Sequence, residues 1–346
     1  MANIADDPRI DPRFKQMLLS FPELPNPGDA ASREEMLAEA NAPEALARSK
    51  QIEAVFEAAD AEPIAPQAGI TLSRRTAVSQ PDGNIVNLQI IRPANEEVLP
   101  CVYYIHGGGM QSMSCYYGNY RAWGKIIASL GVVVVMIDFR NALTPSSVPE
   151  VEPFPAGLND CVSVLRQLPA LADELHFDTS NIIVAGESGG GNLTLATGLK
   201  LLQDGDIDLI HGLYALCPYI AGIWPLEDNP SSIENNGILL DLHNNRGPMA
   251  YGIDELKDRN PLAWPGFATE EEVRGLPATM ISVNECDPLR DEGVNFYRLL
   301  LRAGVQAYCR QVMGTTHGAE IFPAVAPDIS RETAASIAAF ARGDTR

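Results

Sequence analysis

One serine in the sequence stands in a setting that could make it a nucleophile. Residues 186–190 read GESGG and fit the pattern G-x-S-x-G, which places Ser188 at a sharp turn between a strand and a helix. Glycine is needed two positions before and two positions after the serine, because a Cβ there would strike neighbouring backbone. The N-terminus of the following helix favours the negative charge that develops during an attack. We therefore predict that Ser188 is a nucleophile.

A glycine run could supply the hydrogen bonds that such an attack requires. Gly107, Gly108 and Gly109 come directly after an apolar segment that is typical of a buried strand. Attack of a hydroxyl on a carbonyl carbon creates a tetrahedral oxyanion, which needs N–H donors already aimed at it. We predict that the amides of Gly108 and Gly109 donate together with that of Gly189, and that Gly107 serves the turn.

The nucleophile also needs a histidine as its base. The sequence has five: His106, His176, His211, His243 and His317. In proteins with this serine turn, the base follows the nucleophile along the chain, which excludes the first two. The third immediately precedes a core strand, and the fourth lies in an irregular stretch. His317 lies in a small-residue loop between the last strand and the last helix and is our predicted base, while His106 is interpreted as a structural hydrogen-bonding residue.

A carboxylate should orient the histidine from the end of the preceding strand. Sites of open parallel sheets form at the carboxyl ends of the strands. Asp287 lies just past the end of the predicted strand Thr279–Val283, and we predict that it orients His317 and stabilises its charged form. Asp291 is the alternative, although a carboxylate at the start of a helix is ordinarily a cap or a first-turn charge.

Strand and helix patterns alternate through the part of the chain that carries these residues. A hairpin around Pro81-Asp82-Gly83 comes first, and a mostly parallel sheet with helices on both faces is expected to follow. The predicted strands are Thr71–Ser79, Asn84–Arg92, Val102–Ile105, Val132–Ile137, Ile182–Ala185, Leu213–Leu216, Thr279–Val283 and Val305–Val312. The predicted helices are Tyr120–Leu130, Phe154–Leu168, Asn192–Gln203, Gly293–Ala303 and Arg331–Ala341.

Two segments do not follow the alternation. Residues 1–65 look helical, with predicted helices at Ser32–Ala40 and Pro43–Ala59, and residues 217–275 look irregular. We predict that residues 66–346 form the catalytic domain and that these two segments cover it as a cap. Tyr219, Trp224 and Trp264 either line a substrate pocket in the second segment or pack in a small core there.

Composition excludes several classes of protein. A formal net charge of −20 over 346 residues argues against a nucleic-acid partner. The polar N-terminus is not a secretory signal, and the most apolar run, residues 131–137, is too short to span a bilayer, so we expect a cytoplasmic protein without a membrane partner. Six scattered cysteines form no C-x-x-C pair, so reduced thiols are expected, with neither a metal nor another cofactor.

Together these motifs resemble the hormone-sensitive-lipase family of carboxylesterases, from about residue 70 onward. The motifs on which the resemblance rests are HGGG at 106–109, DFR at 138–140, GESGG at 186–190, DPLRD at 287–291 and HG at 317–318. The resemblance implies an α/β-hydrolase fold, a Ser188–His317–Asp287 triad and hydrolysis of short- to medium-chain esters or lactones, and the pattern is most like bacterial brefeldin A esterase.

The sequence departs from many members of that family around the serine. They have Asp-Ser-Ala where this chain has Glu187-Ser188-Gly189, and an aromatic residue where it has Met110. We expect Met110 and Glu187 to shape the pocket with Tyr219 and Trp224. An acyltransferase or lyase with the same fold, or a ligand-binding receptor without catalysis, are the alternatives. The sequence leaves the oligomeric state open, with a homodimer as one option.

Overall fold

An eight-stranded sheet positions the candidate catalytic residues, which follow the ends of its strands. The computed structural model describes residues 4–20 and 28–344. The strands are β1 (Ile70–Val78), β2 (Ile85–Pro93), β3 (Leu99–Ile105), β4 (Val133–Asp138), β5 (Phe177–Glu187), β6 (Gly212–Leu216), β7 (Ala278–Asn284) and β8 (Ala307–Val312). Their order across the sheet is β1-β2-β4-β3-β5-β6-β7-β8. The pairs β1–β2 and β2–β4 are antiparallel, and the remaining neighbours are parallel.

Helices occupy the connections and both ends of the chain. They are α1 (Pro12–Ser20), α2 (Arg33–Ala40), α3 (Pro43–Glu57), α4 (Gly118–Ala128), α5 (Ala156–Gln167), α6 (Ala172–Leu175), α7 (Gly189–Asp204), α8 (Ser231–Glu234), α9 (Arg246–Tyr251), α10 (Ile253–Lys257), α11 (Glu270–Val273), α12 (Arg290–Arg302) and α13 (Pro327–Ala341). Short 3₁₀ turns lie at Leu168–Leu171, Ile207–Leu209, Pro265–Phe267 and Ala319–Ile321. Within the described residues, no helix is both long enough and apolar enough to cross a membrane.

The central strands of the sheet are buried on both faces. Along β3, Tyr103 and Ile105 belong to one apolar cluster, while Val102 and Tyr104 belong to another, as expected from the alternation of side chains in a strand. Residues of α5, α7 and α12 lie in the first cluster, and residues of α4 and α13 lie in the second. Helices on both faces remove the parallel strands from water, which explains why these strands read as continuous apolar runs.

The predicted α/β-hydrolase class is confirmed, and the predicted strands and helices are present with shifted ends. The largest shift is in β5, which begins at Phe177 rather than Ile182 because its first half, with Thr179 and Ser180 exposed, carries no apolar signal. The hairpin pairs Ile70 with Pro93 and Val78 with Ile85, so its strands lie one residue from the predicted bounds.

The two peripheral segments contain more helix than the sequence pattern showed. The interval 217–275, predicted to be irregular, holds α8 to α11. These helices span only four to six residues, which is too short for a periodic apolar pattern to be recognised. Helix α1 was not predicted, and parts of the predicted segment 1–65, namely residues 1–3 and 21–27, lie outside the described residues.

Local sequence explains where the N-terminal helices begin. Ser32 caps α2, with its hydroxyl accepting a hydrogen bond from the amide of Glu35 at 3.2 Å. Pro43 occupies the first turn of α3, where its missing N–H has no helical partner to lose. Helix α3 is joined to α4 by Asp60, which accepts hydrogen bonds from Arg121 and Lys125 at 2.7 Å each. The outer helices are therefore attached to the helix layer of the sheet.

Candidate active site

Ser188 lies at the turn between β5 and α7 in a conformation that few residues adopt. Its φ of 57° and ψ of −119° lie outside the regions favoured by non-glycine residues. Its amide donates to the carbonyl of Leu216 at 2.9 Å, and its carbonyl accepts from the amide of Tyr219 at 3.1 Å. The end of β6 therefore holds the serine backbone from both sides, and the side chain remains partly exposed.

The flanking glycines are required by close backbone contacts. A Cβ added at Gly186 would lie 2.5 Å from the carbonyl oxygen of Gly190 and 2.6 Å from that of Ile105. A Cβ added at Gly190 would lie 2.0 Å from the Ile105 oxygen. These contacts involve backbone atoms that cannot rotate away. Only glycine therefore fits at positions 186 and 190, as the motif predicts.

A continuous set of hydrogen bonds joins Ser188, His317 and Asp287. His317 Nε2 lies 2.8 Å from Ser188 Oγ, and His317 Nδ1 lies 2.8 Å from Asp287 Oδ2. With the proton on Nδ1 donated to the carboxylate, Nε2 can accept the hydroxyl proton of the serine. Asp287 is fully buried and His317 is 6% exposed, so water competes little for either contact.

The loops that carry Asp287 and His317 are tied to each other. The amide of Cys286 donates to the carbonyl of Thr315 at 2.9 Å, and the side chain of Asn284 donates to the carbonyl of Thr316 at 2.9 Å. The N-terminal segment braces them from outside, because Phe14 and Cys286 belong to one small apolar cluster and the amide of Asp11 donates to the carbonyl of Gly314 at 2.9 Å. Such support holds the imidazole in place, as a positioned base requires.

The surroundings of His317 change its affinity for protons. Burial lowers the pKa of the imidazole, but the charge of Asp287, its hydrogen bond to Nδ1 and the contact with Cys217 together outweigh burial, so that the pKa of His317 is raised above its ordinary value. The thiol of Cys217 and the carboxyl of Glu320 also interact with the ring. Burial raises the pKa of Cys217 to about 11, which keeps the thiol neutral near pH 7.

Asp291, the alternative acid, contacts other groups. Its Oδ2 accepts a hydrogen bond from the amide of Ser231 at 2.7 Å, and its Oδ1 accepts one from Arg290 at 2.9 Å. These contacts lower the pKa of the carboxyl despite its partial burial. The structure brings Asp287, and not Asp291, to His317.

The glycine run after β3 lies against the serine turn. A Cβ added at Gly189 would lie 2.5 Å from the amide nitrogen of Met110 and 2.8 Å from that of Gly109. The amide of Gly107 donates to Glu187 Oε1 at 2.7 Å and to the Tyr120 hydroxyl at 3.0 Å. The Gly107 amide therefore already has an acceptor. Within the described residues, the amides of Gly108 and Gly109 donate to no acceptor in the protein.

His106 is held inside the protein and away from Ser188. It is fully buried, its Nδ1 donates to the carbonyl of Gly107 at 3.0 Å, and its ring stacks on Phe139 at 4.3 Å. Burial lowers the pKa of the ring, and the nearby Asp138 only partly opposes this effect. A neutral imidazole in these contacts supports the loop, as its position within the glycine motif suggests.

The predicted pocket residues take different positions. Met110 is buried with a φ of 60°, immediately after the glycine run. Tyr219 and Trp224 stack at 4.7 Å, and the indole N–H of Trp224 donates to Glu292 at 2.7 Å. Trp264 meets Tyr219 edge-on at 5.8 Å. The three aromatic rings form a buried cluster next to the serine turn, which is the packing alternative considered from the sequence.

Glu187 lies beneath the glycine run. It is 1% exposed, and Tyr104, Tyr120 and the Gly107 amide all donate to its carboxylate. The sequence predicted a pocket position for this side chain; the structure directs it into the interior of the protein. The tyrosines that bind it were missed, because nothing in their spacing relates them to residue 187.

Residues that could bind a metal ion come together in one place. Among residues 4–20 and 28–344, one group of His, Cys, Asp or Glu has ligand atoms within 4.8 Å of one another, and it consists of Cys217, Asp287 and His317. Both ring nitrogens of His317 already have protein partners at 2.8 Å. The cluster is thus part of the serine–histidine–aspartate site.

Comparison with known proteins agrees with this geometry. Residues 102–321 match a family model described as alpha/beta hydrolase fold. The chain belongs to the α/β-hydrolase family. A curated relative, carboxylesterase NlhH of Mycobacterium tuberculosis, is 30% identical over 254 residues, which cover 72% of this chain and 76% of that protein.

Solved structures give the same result over the full length. Esterase Est22, solved with p-nitrophenol, is 65% identical with a TM-score of 0.96, and the match covers 98% of this chain and 99% of that one. Brefeldin A esterase, a bacterial homologue of human hormone-sensitive lipase, is 36% identical with a TM-score of 0.87, covering 97% and 94%. The predicted resemblance to this group is confirmed, and the protein is a carboxylic ester hydrolase.

Gly189→Ala keeps its own N–H but is expected to lower kcat by up to about 10², the scale of losing one of the donors that we predict for the oxyanion, because it displaces the glycine run. The new Cβ would lie 2.5 Å from the Met110 nitrogen, so the glycine run must move away from Ser188. Steady-state kinetics with a p-nitrophenyl ester would measure the change. Gly198→Ala in the same helix is the control, because its Cβ would meet only the side chain of Leu213. Equal kcat values for the two variants would contradict the expectation.

Proposed function

We propose that the protein hydrolyses carboxylic esters in two steps, with Ser188 as nucleophile, His317 as base and Asp287 as its orienting acid. The observation that carries the proposal is the pair of 2.8 Å contacts that connect the three side chains. His317 takes the proton of Ser188 as the oxygen attacks the acyl carbon, and then protonates the departing alcohol. Water activated by the same imidazole releases the acid from the acyl-enzyme.

The amides of Gly108, Gly109 and Gly189 receive the oxyanion in this proposal. The engagement of the Gly107 amide with Glu187 supports this choice, because a donor at 2.7 Å from a carboxylate is not available to the substrate. The first-turn position of Gly189 in α7 adds the favourable field of a helix N-terminus.

The segments 1–65 and 217–275 act as a cap over this site in our proposal. Arg33 of α2 donates to the carbonyl of Ala142 at 2.7 Å, and the amide of Ala142 donates to the carbonyl of Met110. Tyr219 contacts the backbone of Ser188 from the other segment. Both segments therefore reach the loops around the nucleophile.

We further propose that small esters with short to medium acyl chains, or lactones, are the substrates. The buried and flexible Met110 beside the glycine run supports an apolar, compact acyl site. The relatives named as esterases, including one named for brefeldin A and one solved with p-nitrophenol, are consistent with this range.

A series of p-nitrophenyl esters of increasing acyl length, run beside a macrolactone, tests the proposed substrates. We expect the highest kcat/KM at short to medium chains, a decline for long chains, and the free carboxylic acid as product. Acyl groups found only on an added alcohol would instead favour an acyltransferase. Binding without turnover would favour the receptor alternative.

The raised pKa of His317 predicts an acid limb in the activity profile. The base must be neutral to accept the serine proton, so kcat/KM should fall as pH drops through the pKa of His317 in the free enzyme. Because that pKa is raised, the midpoint should lie above the ordinary histidine value of about 6.5. A profile of kcat/KM against pH measures it, and a rate that does not change down to about pH 5 would contradict a histidine base.

A further inference from the structure

The carboxylate of Glu187 is buried without a cation. Within the described residues it forms no ion pair with Lys, Arg or His, and burial raises the pKa of this carboxyl to about 7. Burying an unpaired carboxylate is unfavourable, so a side chain of this type needs strong compensating hydrogen bonds. Glu187 directly precedes Ser188 in the chain, so the contacts of its carboxylate bear on catalysis.

Three donors compensate the carboxylate, and one of them belongs to the glycine run. Tyr104 donates to Oε2 at 2.6 Å, Tyr120 donates to Oε1 at 2.5 Å, and the Gly107 amide donates to Oε1 at 2.7 Å. The Tyr120 oxygen lies 3.0 Å from the same Gly107 nitrogen. Glu187 and Tyr120 therefore hold the start of the glycine run together.

The fit between the carboxylate and the glycine run leaves no free space. A Cβ added at Gly107 would lie 2.4 Å from Glu187 Oε1 and 3.1 Å from the Glu187 carbonyl oxygen. The two residues that follow, Gly108 and Gly109, have φ values of 88° and 63°, which glycine adopts without strain. The Gly107 carbonyl accepts from His106, and the Gly108 carbonyl accepts from the amides of Gln111 and Ser112. The Gly107 amide is therefore one of several fixed points of the run, and it is the one that Glu187 holds.

We infer that Glu187 is a positioning residue for the oxyanion hole, acting through the Gly107 amide to aim the Gly108 and Gly109 amides at the reacting carbonyl. The inference rests on the proposed function of those amides. A charged acceptor binds an N–H more strongly than a neutral one, so the carboxylate holds the loop more firmly than an amide oxygen would. Placement of preorganised donors affects the transition state more than the bound ester.

Glu187→Gln tests the inference with little change of shape. The side-chain oxygen of glutamine can still accept from Gly107, and its NH₂ can donate to a tyrosine oxygen, so the fold should persist. We expect kcat to fall about tenfold and KM to change less than about threefold, since the loss is confined to the transition state. A trifluoromethyl ketone, whose serine adduct carries an oxyanion, should bind about tenfold more weakly.

Two tyrosine variants provide a matched pair. Tyr104→Phe removes the donor to Oε2, which the Gly107 amide does not share, whereas Tyr120→Phe removes a donor to Oε1 that also lies 3.0 Å from the Gly107 nitrogen. We expect Tyr120→Phe to lower kcat and the affinity for the ketone more than Tyr104→Phe does. Melting temperatures of all variants separate these effects from a general loss of stability.

Two results would overturn the inference. One is a folded Glu187→Gln enzyme whose kcat and ketone affinity both lie within about twofold of the parent values. A correctly placed oxyanion donor should contribute more than that factor. The other is equal kcat losses for the two tyrosine variants without any change in ketone affinity. Neither result would affect the assignment of Ser188, which is tested by its own substitution.

Discussion

Ser188→Ala is expected to lower kcat for a p-nitrophenyl ester by roughly 10⁴–10⁶, the range found when the nucleophile of a serine hydrolase is removed. The alanine variant loses the oxygen that lies 2.8 Å from His317 Nε2 and cannot form an acyl-enzyme. A residual rate above that in water should persist, because the glycine amides still stabilise a carbonyl attacked by water. KM should change little, since the methyl group fits wherever the hydroxymethyl group did.

A matched serine outside the site makes that measurement specific. Ser180 is exposed on β5, far along the strand from the turn, and Ser180→Ala should leave kcat unchanged within about twofold, as surface substitutions usually do. Unchanged melting temperatures would show that both variants are folded. Retention of more than about a tenth of the parent kcat by Ser188→Ala would exclude this serine as the nucleophile.

Asp287→Asn is expected to lower kcat by about 10⁴, the effect of the corresponding change in a serine protease triad. The asparagine is nearly the same size, but it removes the charge that raises the pKa of His317. It can also present its NH₂ to Nδ1, which would place the imidazole proton on Nε2, where it cannot accept from Ser188. Kinetics with the same ester would measure the loss.

Asp291→Asn is the matched control for the acid. This carboxylate lies four residues along the chain and pairs with Arg290 and the Ser231 amide, so its loss should reduce stability while kcat stays within about threefold. If Asp291→Asn were the more damaging of the two substitutions, the assignment of the acid to Asp287 would be wrong.

The positions of the strands and of the three residues that we propose as a triad followed from local sequence signals. Apolar runs bounded by glycine and proline mark buried parallel strands, and the ends of these strands place Ser188 and Asp287 at one edge of the sheet. Elimination among five histidines left His317. These predictions needed only the order of elements along the chain, which a single sequence contains.

The contacts between distant parts of the chain could not be predicted in the same way. Glu187 meets Tyr104 and Tyr120, which come from β3 and α4, and no local pattern connects three such residues. Helix α1 also escaped prediction, because its Phe14 is buried in a cluster with residues far along the chain, among them Cys286 and Ala319. Long-range packing of this kind is decided by the whole fold and not by a window of sequence.

Covalent labelling with diethyl p-nitrophenyl phosphate tests the central claim most directly. The reagent phosphorylates a nucleophilic serine and releases p-nitrophenol, so the extent of reaction and the labelled residue can both be measured. We predict a single phosphoryl group per chain, located by peptide mass spectrometry on Ser188, with loss of esterase activity in parallel. Complete inactivation with the label on another residue, or full activity with Ser188 labelled, would contradict the account.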